Sequence, residues 1–499
     1  MTAISSDLGD STRSIPAKGA TANGNKANGH ARVHRAGPRA AEACEPDATA
    51  SQRPHRVLVV GGAYAGVAAV LTLLDGADGK LATGEPPLPR LRRRIEVTLI
   101  DERDGFFHAV GTPLAHVAKG SVVPLWLRYQ SISRLQRDDV KIRHGRVSSV
   151  HPGSLRVTFS DIESDGKDVT LEYDFLILAS GLTRQWPTIP KAQSFDDYVK
   201  DASKHISRIR HAKCGTVAVI GGGEWSLALC CLDATNQSLQ GAVGIEFASE
   251  IKSFHPHNRV VLIHSRDKLL SNEPLPETFK TQAQSLLVGE GVDVILNQRA
   301  SVVEADGVSN ITLTDGGRIE AGYVFYATSG YEANTQMLPR EAVDEDGYVV
   351  VDQHMNFASS IDNAHRHYAC GDICRWSGIK RAGPAMVMGR VAATNIFHQL
   401  VHSEHLEHNE PFEVVADPES PDHFDAGSQK LPYSPAVYPE VPPTMALAVG
   451  KQAIIYQPHA GVNWGEEQCA EIFGTDLGWT STWDSWKQGR ESTDRQGLG

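Results

Sequence analysis

The chain has 499 residues, of which 41% are hydrophobic and 22% charged, a size that excludes a single folded core and suits two or three domains. Its net charge of −12 excludes nucleic acid as the main partner, because phosphate binding requires clustered Lys and Arg. The 7 cysteines follow no repeating spacing, which excludes a disulfide scaffold and a cysteine-ligated metal site and is typical of an intracellular protein. No metal site is predicted.

Residues 1–54 are rich in Ala, Gly, Ser, Asn and Pro and carry no apolar periodicity. Such a segment buries too little surface to offset its chain entropy, so it is predicted to be disordered. A mitochondrial transit peptide is the alternative, although the acidic residues of the segment argue against one. We therefore predict a cytoplasmic location, with the mitochondrion or a membrane surface as alternatives.

The first folded segment opens with RVLVVGGAYAGVAAVLTLL. Its glycines divide this apolar stretch into a strand, a tight turn and a helix, so a transmembrane segment is excluded. The turn approximates the G-x-G-x-x-G pattern of dinucleotide sites, with Gly61, Ala63 and Gly66 at the three positions. The next strand, IEVTLID, ends in Asp101, a carboxylate suited to binding a ribose. An accidental glycine turn in an ordinary αβ domain is the alternative to this first nucleotide site.

Two later segments fit an FAD-binding domain. YDFLILASG is an apolar strand that ends in small residues, the last of which is Gly181. YACGDICRW places Asp372 directly after Gly371 at a predicted strand end, where a carboxylate can bind the ribityl chain of a flavin.

A second strand–turn–helix pattern comprises GTVAVIGGG and GAVGIEFASEI. Joined directly, the two pieces would place Gly221, Gly223 and Gly244 at the glycine positions of a nicotinamide site. Residues 224–241 separate them and would move the helix N-terminus away from the phosphates.

The anomalous segment 224–241 has two interpretations. We hypothesise that it is translated from a retained intron, because Gly223–Glu224 and Ala234–Asn236 can be encoded by donor-like and branch-point-like sequences. A genuine insertion is the alternative.

The strand RVVLIHSRD bears on the choice of nicotinamide cofactor. It ends without an acidic residue, and Ser265 and Arg266 can bind a 2′-phosphate, so NADPH is predicted in preference to NADH. A solvated surface charge is the alternative role of Arg266.

The order of these segments predicts an α/β protein with two Rossmann-like dinucleotide-binding domains, the NAD(P)-binding one inserted in the FAD-binding one, followed by an α+β region. The predicted boundaries are residues 55–212 and 331–400 for the two parts of the FAD-binding domain, 213–330 for the NAD(P)-binding domain, and 401–499 for a linker and C-terminal domain.

Segments spread over about residues 55–490 resemble the pyridine nucleotide-disulfide oxidoreductase superfamily and, within it, the apoptosis-inducing-factor-like, mitochondrion-associated (AMID-type) oxidoreductases of fungi. They are VVGGAYAG, LIDERDGFFHAVGTPLA, YDFLILASG, HSRDKLLSNEPLP, YACGDICRW, GIKRAGPAMVMGRVAATNI and GEEQCAEIFGTDLGWTSTWDSWKQG. The resemblance implies FAD contacts at Gly61, Gly62, Gly66, Asp101, Val147 and Asp372.

Two further roles are implied by the resemblance. Lys380 is expected beside the flavin, where a cation stabilises the reduced ring, or else is an ordinary surface lysine. Glu246 is expected near the nicotinamide and the flavin, or else compensates a helix dipole. No cysteine lies between Cys44 and Cys214, so the chain lacks the redox pair of a disulfide reductase.

The predicted function is therefore FAD-dependent oxidation of NAD(P)H with a quinone-like or other small electron acceptor. A tailoring oxidase of specialised metabolism and a non-enzymatic flavoprotein with a structural FAD are the alternatives. The Trp-rich tail is predicted to pack on the protein, with docking on a membrane surface or covering of the quinone site as its alternatives, and the oligomeric state is left open.

Overall fold

The computed structural model describes residues 53–81, 90–184, 188–221, 240–327, 331–376, 379–407 and 434–488. These stretches belong to one unit, Arg53–Gly499. Three sequence predictions lie partly or wholly outside the described residues: Gly223, the insertion over residues 224–239, and the disordered segment over residues 1–52.

The first lobe is formed by two separate parts of the chain. Its first part contains β1 (His55–Val60), α1 (Tyr64–Ala77), β2 (Ile95–Asp101), β3 (Gly105–Phe107), α2 (Thr112–Val117), β4 (Trp126–Arg128), β5 (Val140–His151), β6 (Arg156–Asp161), β7 (Lys167–Glu172), β8 (Phe175–Leu178), β9 (Leu182–Arg184) and α3 (Phe195–Arg210).

The second lobe lies between those two parts in the chain. It contains β10 (Thr216–Gly221), α4 (Gln240–Phe254), β11 (Arg259–His264), α5 (Glu277–Gly289), β12 (Asp293–Ile295), β13 (Ala300–Ala305), β14 (Val308–Leu313), β15 (Arg318–Ala321) and β16 (Tyr323–Tyr326). Strands β12-β11-β10-β16 form a parallel sheet in that order, and β13-β14-β15 form an antiparallel sheet.

The chain then returns to the first lobe. The second part of this lobe contains β17 (Tyr331–Ala333), β18 (Val349–Val350), β19 (His367–Ala369), β20 (Cys374–Arg375) and α6 (Ala382–Glu407). Strand β19 pairs in parallel with β8, so the returning chain completes a seven-stranded sheet of order β19-β8-β1-β2-β5-β6-β7. The predicted fold class, with one αβ domain inserted in another, is confirmed, whereas the exact domain boundaries stay a prediction.

The central strand of the first sheet shows why this order forms. Strand β1 reads HRVLVV and is buried at five of its six positions, as a parallel strand covered on both faces must be. Helix α1 is buried along nearly its whole length and packs against α6, which comes from the returning part of the chain. The glycine turn after β1 is thereby held between elements of both parts.

The C-terminal region contributes β21 (Met445–Val449), β22 (Gln452–Gln457), β23 (Gly461–Gly465), α7 (Glu466–Ile472) and α8 (Trp479–Gln488). Strand β21 packs on α4 of the second lobe, and α8 places Trp486 against Phe106 of the first lobe, with ring centroids 4.5 Å apart. Within the described stretches, no helix combines the length and apolar character that crossing a membrane requires.

Candidate cofactor-binding sites

The first glycine turn connects β1 to α1. Gly61 has φ +97°, and a Cβ atom there would lie 2.4 Å from the carbonyl oxygen of Ala179, so only glycine fits. A Cβ on Gly66 would lie 1.8 Å from the Gly61 carbonyl oxygen. Ala63 precedes the 14-residue helix α1 and offers no capping side chain. The first amides of α1 therefore remain available for an anion such as a pyrophosphate.

Asp101 ends β2 next to this turn. Its carboxylate accepts hydrogen bonds from the main-chain N–H groups of Gly62 and Arg103, at 2.5 and 2.7 Å. Tyr129 approaches from the other side, and its hydroxyl donates to the Gly62 carbonyl oxygen at 2.9 Å. Burial raises the pKa of Asp101, and Arg103 opposes that shift. The carboxylate thus sits at the strand end where the sequence places a ribose-binding acid.

The returning chain brings Asp372 to the same turn. Gly371 has φ +80°, and a Cβ there would come within 3.2 Å of the Ala65 side chain at the start of α1. Asp372 Oδ2 lies 2.9 Å from Arg184 Nη2. The order of the chain alone does not predict the Arg184 contact, which joins β9 to the turn after β19.

Lys380 holds the segment that carries Asp372. Its partly buried ammonium donates to the carbonyl oxygens of Asp372 and Cys374, at 2.6 and 2.9 Å, and lies 4.4 Å from the centre of the Tyr348 ring. Desolvation lowers the pKa of Lys380, and the charge of Asp372 opposes that shift. These contacts assign Lys380 a positioning role that neither sequence interpretation included, and its action on a flavin stays a prediction.

Gly181 and Val147, the two remaining predicted flavin contacts, lie in other parts of the first lobe. Gly181 has φ +65° just after β8, and its carbonyl oxygen accepts from the Asn334 N–H at 3.0 Å. Val147 is buried in β5 opposite Phe159, next to an irregularity in the strand pairing. Their predicted flavin contacts are not tested by these positions.

The second glycine turn begins in the same register as the first. Gly221 ends β10 and pairs with His264, which ends β11, just as Gly61 follows β1 beside Asp101 at the end of β2. A Cβ on Gly244 would make van der Waals contact at 3.4 Å with Leu262 and 3.5 Å with Ala327, which places α4 close to the sheet.

Ser265 and Arg266 follow β11 directly. The Arg266 guanidinium donates a hydrogen bond to the Asn272 side chain. The main-chain carbonyl oxygen of Arg266 accepts one from the Asn297 N–H at 2.9 Å. Gly221, His264 and these two residues therefore lie at the carboxyl edge of the second sheet, the edge where open parallel sheets bind their ligands.

Glu246 lies in the second turn of α4, because the described helix begins at Gln240. The helix-dipole interpretation stays a prediction, and this position favours it less because the effect falls off beyond the first turn. Its carboxyl group accepts from the Ala448 N–H of β21, and burial together with the nearby Glu250 raises its pKa to about 8. Glu246 thus contacts the C-terminal sheet, a contact that the sequence does not reveal.

Sequence reasoning also missed a polar pair beside the first turn. Tyr64, the first residue of α1, bonds His108, and the charge of Asp372 acts on the Tyr64 hydroxyl. The sequence signal was present, since a tyrosine inside the glycine pattern and a histidine within FFHAV are unusual for plain core positions.

Next to this pair lies an aromatic groove of about 360 Å³ between β4, the start of α3 and α8. Trp479 forms part of its wall and also stacks on Phe106, 6.1 Å between ring centroids. Trp479 and Trp483 lie parallel to each other at 6.0 Å. We call this cavity the aromatic groove; it is lined by Val123, Pro124, Trp126, Leu127, Arg128, Ser131, Phe195, Trp479 and Trp483.

Comparison with known proteins decides the family. A family model described as pyridine nucleotide-disulphide oxidoreductase matches residues 55–237 and 240–389. The chain is 38% identical over 457 residues to the oxidoreductase OXR1 of Ajellomyces capsulatus, covering 88% of this chain and 89% of that protein. The chain belongs to the pyridine nucleotide-disulphide oxidoreductase family.

Two further proteins resemble the chain, one in sequence and one in fold. The ferroptosis suppressor protein 1 of Taeniopygia guttata is 26% identical over 361 residues, which cover 69% of this chain and 81% of that protein. The solved sulfide:quinone oxidoreductase of Aquifex aeolicus shares the fold with a TM-score of 0.55 at 13% identity, covering 87% of this chain and 91% of that one. The resemblance to AMID-type oxidoreductases is confirmed.

As a pyridine nucleotide-disulphide oxidoreductase, the protein depends on FAD and uses NAD(P)H. The first turn fits FAD on its own geometry, since it combines a glycine cradle, uncapped helix amides and a strand-end carboxylate. The disulphide chemistry of the family name does not extend to the described cysteines beside Asp372. Cys370 and Cys374 are buried, and burial raises the pKa of each thiol, so neither is a nucleophile at neutral pH.

Proposed function

We propose that the protein is an FAD-dependent NAD(P)H oxidoreductase that reduces a quinone-like or other small electron acceptor. The observation that carries the proposal is that Gly61, directly after β1, and Gly221, at the end of β10, stand in the same register to a neighbouring strand end. Each turn of this kind binds one dinucleotide. FAD, when bound, accepts hydride from a nicotinamide and passes the electrons on.

The proposal assigns the site residues as follows. The flavin dinucleotide is bound by Gly61, Gly62, Ala63, Gly66, Asp101, Val147, Gly181, Gly371 and Asp372, and the nicotinamide dinucleotide by Gly221, Gly223, Gly244, Ser265 and Arg266. Lys380 holds the Asp372 segment and supplies a positive charge near the flavin. Glu246 lies on the nicotinamide side, on the helix that follows the second turn.

A small aromatic acceptor is supported by the aromatic groove. Three indole rings and one phenyl ring form part of its lining and can bind planar molecules by stacking, and its volume of about 360 Å³ suits a single ring system. The groove adjoins Trp479, which contacts His108 and, through it, Tyr64 at the flavin turn. The fold neighbour from Aquifex aeolicus, a sulfide:quinone oxidoreductase, gives additional support.

NADPH is proposed as the preferred donor. In NADH-selective proteins an acidic residue at this strand end binds the ribose 2′-hydroxyl. In this chain the corresponding positions carry His264, Ser265 and Arg266. A guanidinium recognises a phosphate through paired N–H donors, which favours the phosphorylated nucleotide.

A cytoplasmic location is proposed, with peripheral attachment to a membrane as the alternative. Support comes from the free thiols at the described cysteines. Fractionation of cells expressing the full chain tests it, and recovery in the membrane fraction would favour the alternative.

The test is an anaerobic titration of the purified protein with NADPH, with flavin absorbance followed at about 450 nm. It is made on the full chain and on a matched variant that lacks residues 224–241. Loss of absorbance in either form supports the oxidoreductase. Loss only in the shortened form also supports the intron hypothesis, which transcript sequencing tests independently.

A second stage separates the classes of acceptor. The reduced protein is mixed with a short-chain ubiquinone, a disulfide and dioxygen in turn, and the return of flavin absorbance is timed. Fastest return with the quinone is expected. Flavin that NADPH and NADH leave oxidised, but that an organic substrate reduces, would instead favour a tailoring oxidase.

A further inference from the structure

His264 stands where the first site carries Asp101. Strands β10 and β11 pair in parallel, with Gly221 opposite His264, and β1 and β2 pair so that the next positions are Gly61 and Asp101. In both sites the side chain at the second strand end bonds the main chain of the glycine turn: Asp101 accepts from Gly62, and His264 contacts the Gly221 carbonyl oxygen. His264 is therefore the positional counterpart of a ribose-binding acid.

The hydrogen bond to Gly221 determines which ring nitrogen of His264 carries the proton. Nδ1 lies 3.1 Å from the Gly221 carbonyl oxygen, and because a carbonyl only accepts, Nδ1 must be the donor. In the neutral ring, Nε2 then carries no proton, and its lone pair can accept a hydrogen bond. His264 is 5% exposed, and although the Lys268 carbonyl group lies near the ring, no group of the described residues completes a hydrogen bond of good geometry with Nε2. A buried, unpartnered acceptor at the ribose-binding strand end calls for a ligand.

We propose that His264 selects the substituent on the adenosine ribose of the nicotinamide dinucleotide: neutral, it accepts a hydrogen bond from the 2′-hydroxyl of NADH, and protonated, it donates one to the 2′-phosphate of NADPH. This inference rests on the proposed use of NAD(P)H at the second turn. Binding of the phosphorylated nucleotide is thereby coupled to uptake of a proton at Nε2.

The surroundings of His264 set the direction of that coupling. Burial lowers the pKa of the ring, and the neighbouring Arg266 lowers it further, whereas the carbonyl groups of Gly221 and Lys268 and the charge of Asp267 raise it. The free protein therefore holds a neutral ring at about pH 7. A phosphate dianion next to Nε2 favours the imidazolium, so the proton enters with the ligand.

The experiment measures binding of NADP⁺ and NAD⁺, which do not reduce the flavin, to the full chain by isothermal titration calorimetry. Repeating each titration at about pH 7 in buffers of different ionisation enthalpy gives the number of protons taken up. Uptake approaching about one proton is expected with NADP⁺, and none with NAD⁺. Bound FAD and thermal stability are recorded for every variant to show that it is folded.

Three substitutions make the assignment specific. His264→Gln cannot form a cation, so proton uptake should vanish and NADP⁺ should bind about tenfold more weakly. Arg266→Gln should also weaken NADP⁺ binding but leave proton uptake intact, because His264 remains. His264→Asp restores the arrangement of the first site and should bind NAD⁺ in preference to NADP⁺, since a carboxylate repels the 2′-phosphate.

Unchanged proton uptake in His264→Gln, or an unaltered ratio of NADP⁺ to NAD⁺ affinity, would overturn the assignment while leaving the proposed oxidoreductase intact. Failure of the full chain to bind either nucleotide would overturn both together. Loss of uptake with retained folding supports His264 as the group that reads the ribose substituent.

Discussion

Tyr64 and His108 form a buried hydrogen bond, 3.0 Å between Oη and Nδ1, that joins the first residue of α1 to the loop after β3. His108 Nε2 lies 2.9 Å from the Leu477 carbonyl oxygen, so Nε2 donates and Nδ1 accepts from the tyrosine hydroxyl. The same hydroxyl oxygen accepts from the Val110 N–H at 3.3 Å. A continuous polar connection thus runs from the flavin turn to the segment that precedes α8.

His108→Phe should destabilise the protein and weaken FAD retention. The substitution leaves the Tyr64 hydroxyl and the Leu477 carbonyl buried without their partner, at a cost of about 1–3 kcal/mol for each group. Thermal unfolding and the rate of FAD release measure the effect. Tyr64→Phe combined with His108→Phe removes both partners of the first bond and should cost less than the sum of the single changes. Strict additivity would show that the pair does not act as a unit.

Gly61→Ala should yield protein without bound flavin. The backbone at Gly61 has φ +97°, and the new methyl group would meet the Ala179 carbonyl oxygen at 2.4 Å, so the turn must move from its position. The ratio of flavin to protein absorbance after purification measures the loss. Gly120→Ala is the matched control, because that glycine is exposed and nothing lies within 4 Å of the added atom. Full flavin content in Gly61→Ala would contradict the assignment of this turn.

Much of the fold was predictable from local sequence patterns, and the reasons are physical. The turn at Gly61 and the acid at Asp101 are each encoded within one strand–turn unit, so reading one segment at a time finds both. The return of the chain to the first lobe was also expected, because YACGDICRW follows the second αβ block, although the parallel pairing of β19 with β8 was not specified.

The parts that were missed depend on contacts between distant segments. The contact of Glu246 with Ala448 joins residues about two hundred positions apart, and no short pattern in α4 announces it. The proposed role of His264 could be inferred only from the strand register that places it opposite Gly221, because the local sequence shows only that an acidic residue is missing. The Trp-rich tail was predicted to pack on the protein, but its contact with Phe106 could not be derived from spacing.

Glu246→Gln should flatten the pH dependence of stability. The pKa of Glu246 is raised to about 8, above its ordinary value of 4.5, so the folded state keeps a proton that the unfolded state loses. The stabilisation that the protonated Glu246 carboxyl group contributes is complete below its pKa in the unfolded state. It is lost as pH rises through its pKa in the folded state. Glu250, whose pKa burial and Glu290 raise to about 7, adds to the same trend.

Denaturant unfolding between about pH 5 and pH 8 tests this prediction. The wild-type free energy of unfolding should fall by about 1–2 kcal/mol more than that of Glu246→Gln, a value reduced from the full shift because the side chain is half-buried. Substitution of the exposed Glu345 by Gln is the control and should leave the wild-type profile unchanged. Parallel profiles for wild type and Glu246→Gln would contradict a carboxyl group at Glu246 that stays protonated in the folded state.

Lys380→Met should weaken FAD binding and lower the reduction potential of the bound flavin. Methionine fills the same space but leaves the Asp372 and Cys374 carbonyls without a donor, and the removed charge no longer favours the reduced ring. We expect a loss of FAD affinity of about tenfold. Lys380→Arg should restore the potential. An unchanged potential with weakened FAD binding would limit Lys380 to positioning.

Trp483→Ala should raise the KM for a quinone-like acceptor without changing flavin reduction by NADPH. Trp483 lies parallel to Trp479 at the aromatic groove, and an indole stacked on a planar ligand contributes about 0.5–1.5 kcal/mol, which corresponds to about three- to tenfold in KM. Stopped-flow absorbance isolates the reductive step, and steady-state assays with varied quinone give KM.

Trp464→Ala is the matched control for that experiment, because this tryptophan is 49% exposed on β23 and does not line the groove. It should leave both steps unchanged. If Trp483→Ala slows flavin reduction as well, α8 acts by supporting the flavin turn through Trp479 and Phe106, and the groove loses its claim as the acceptor site. If only the KM for the quinone rises, electrons leave the flavin toward the face that α8 covers. The acceptor site is then distinct from the edge of the second sheet where His264 and Arg266 are proposed to bind the nucleotide.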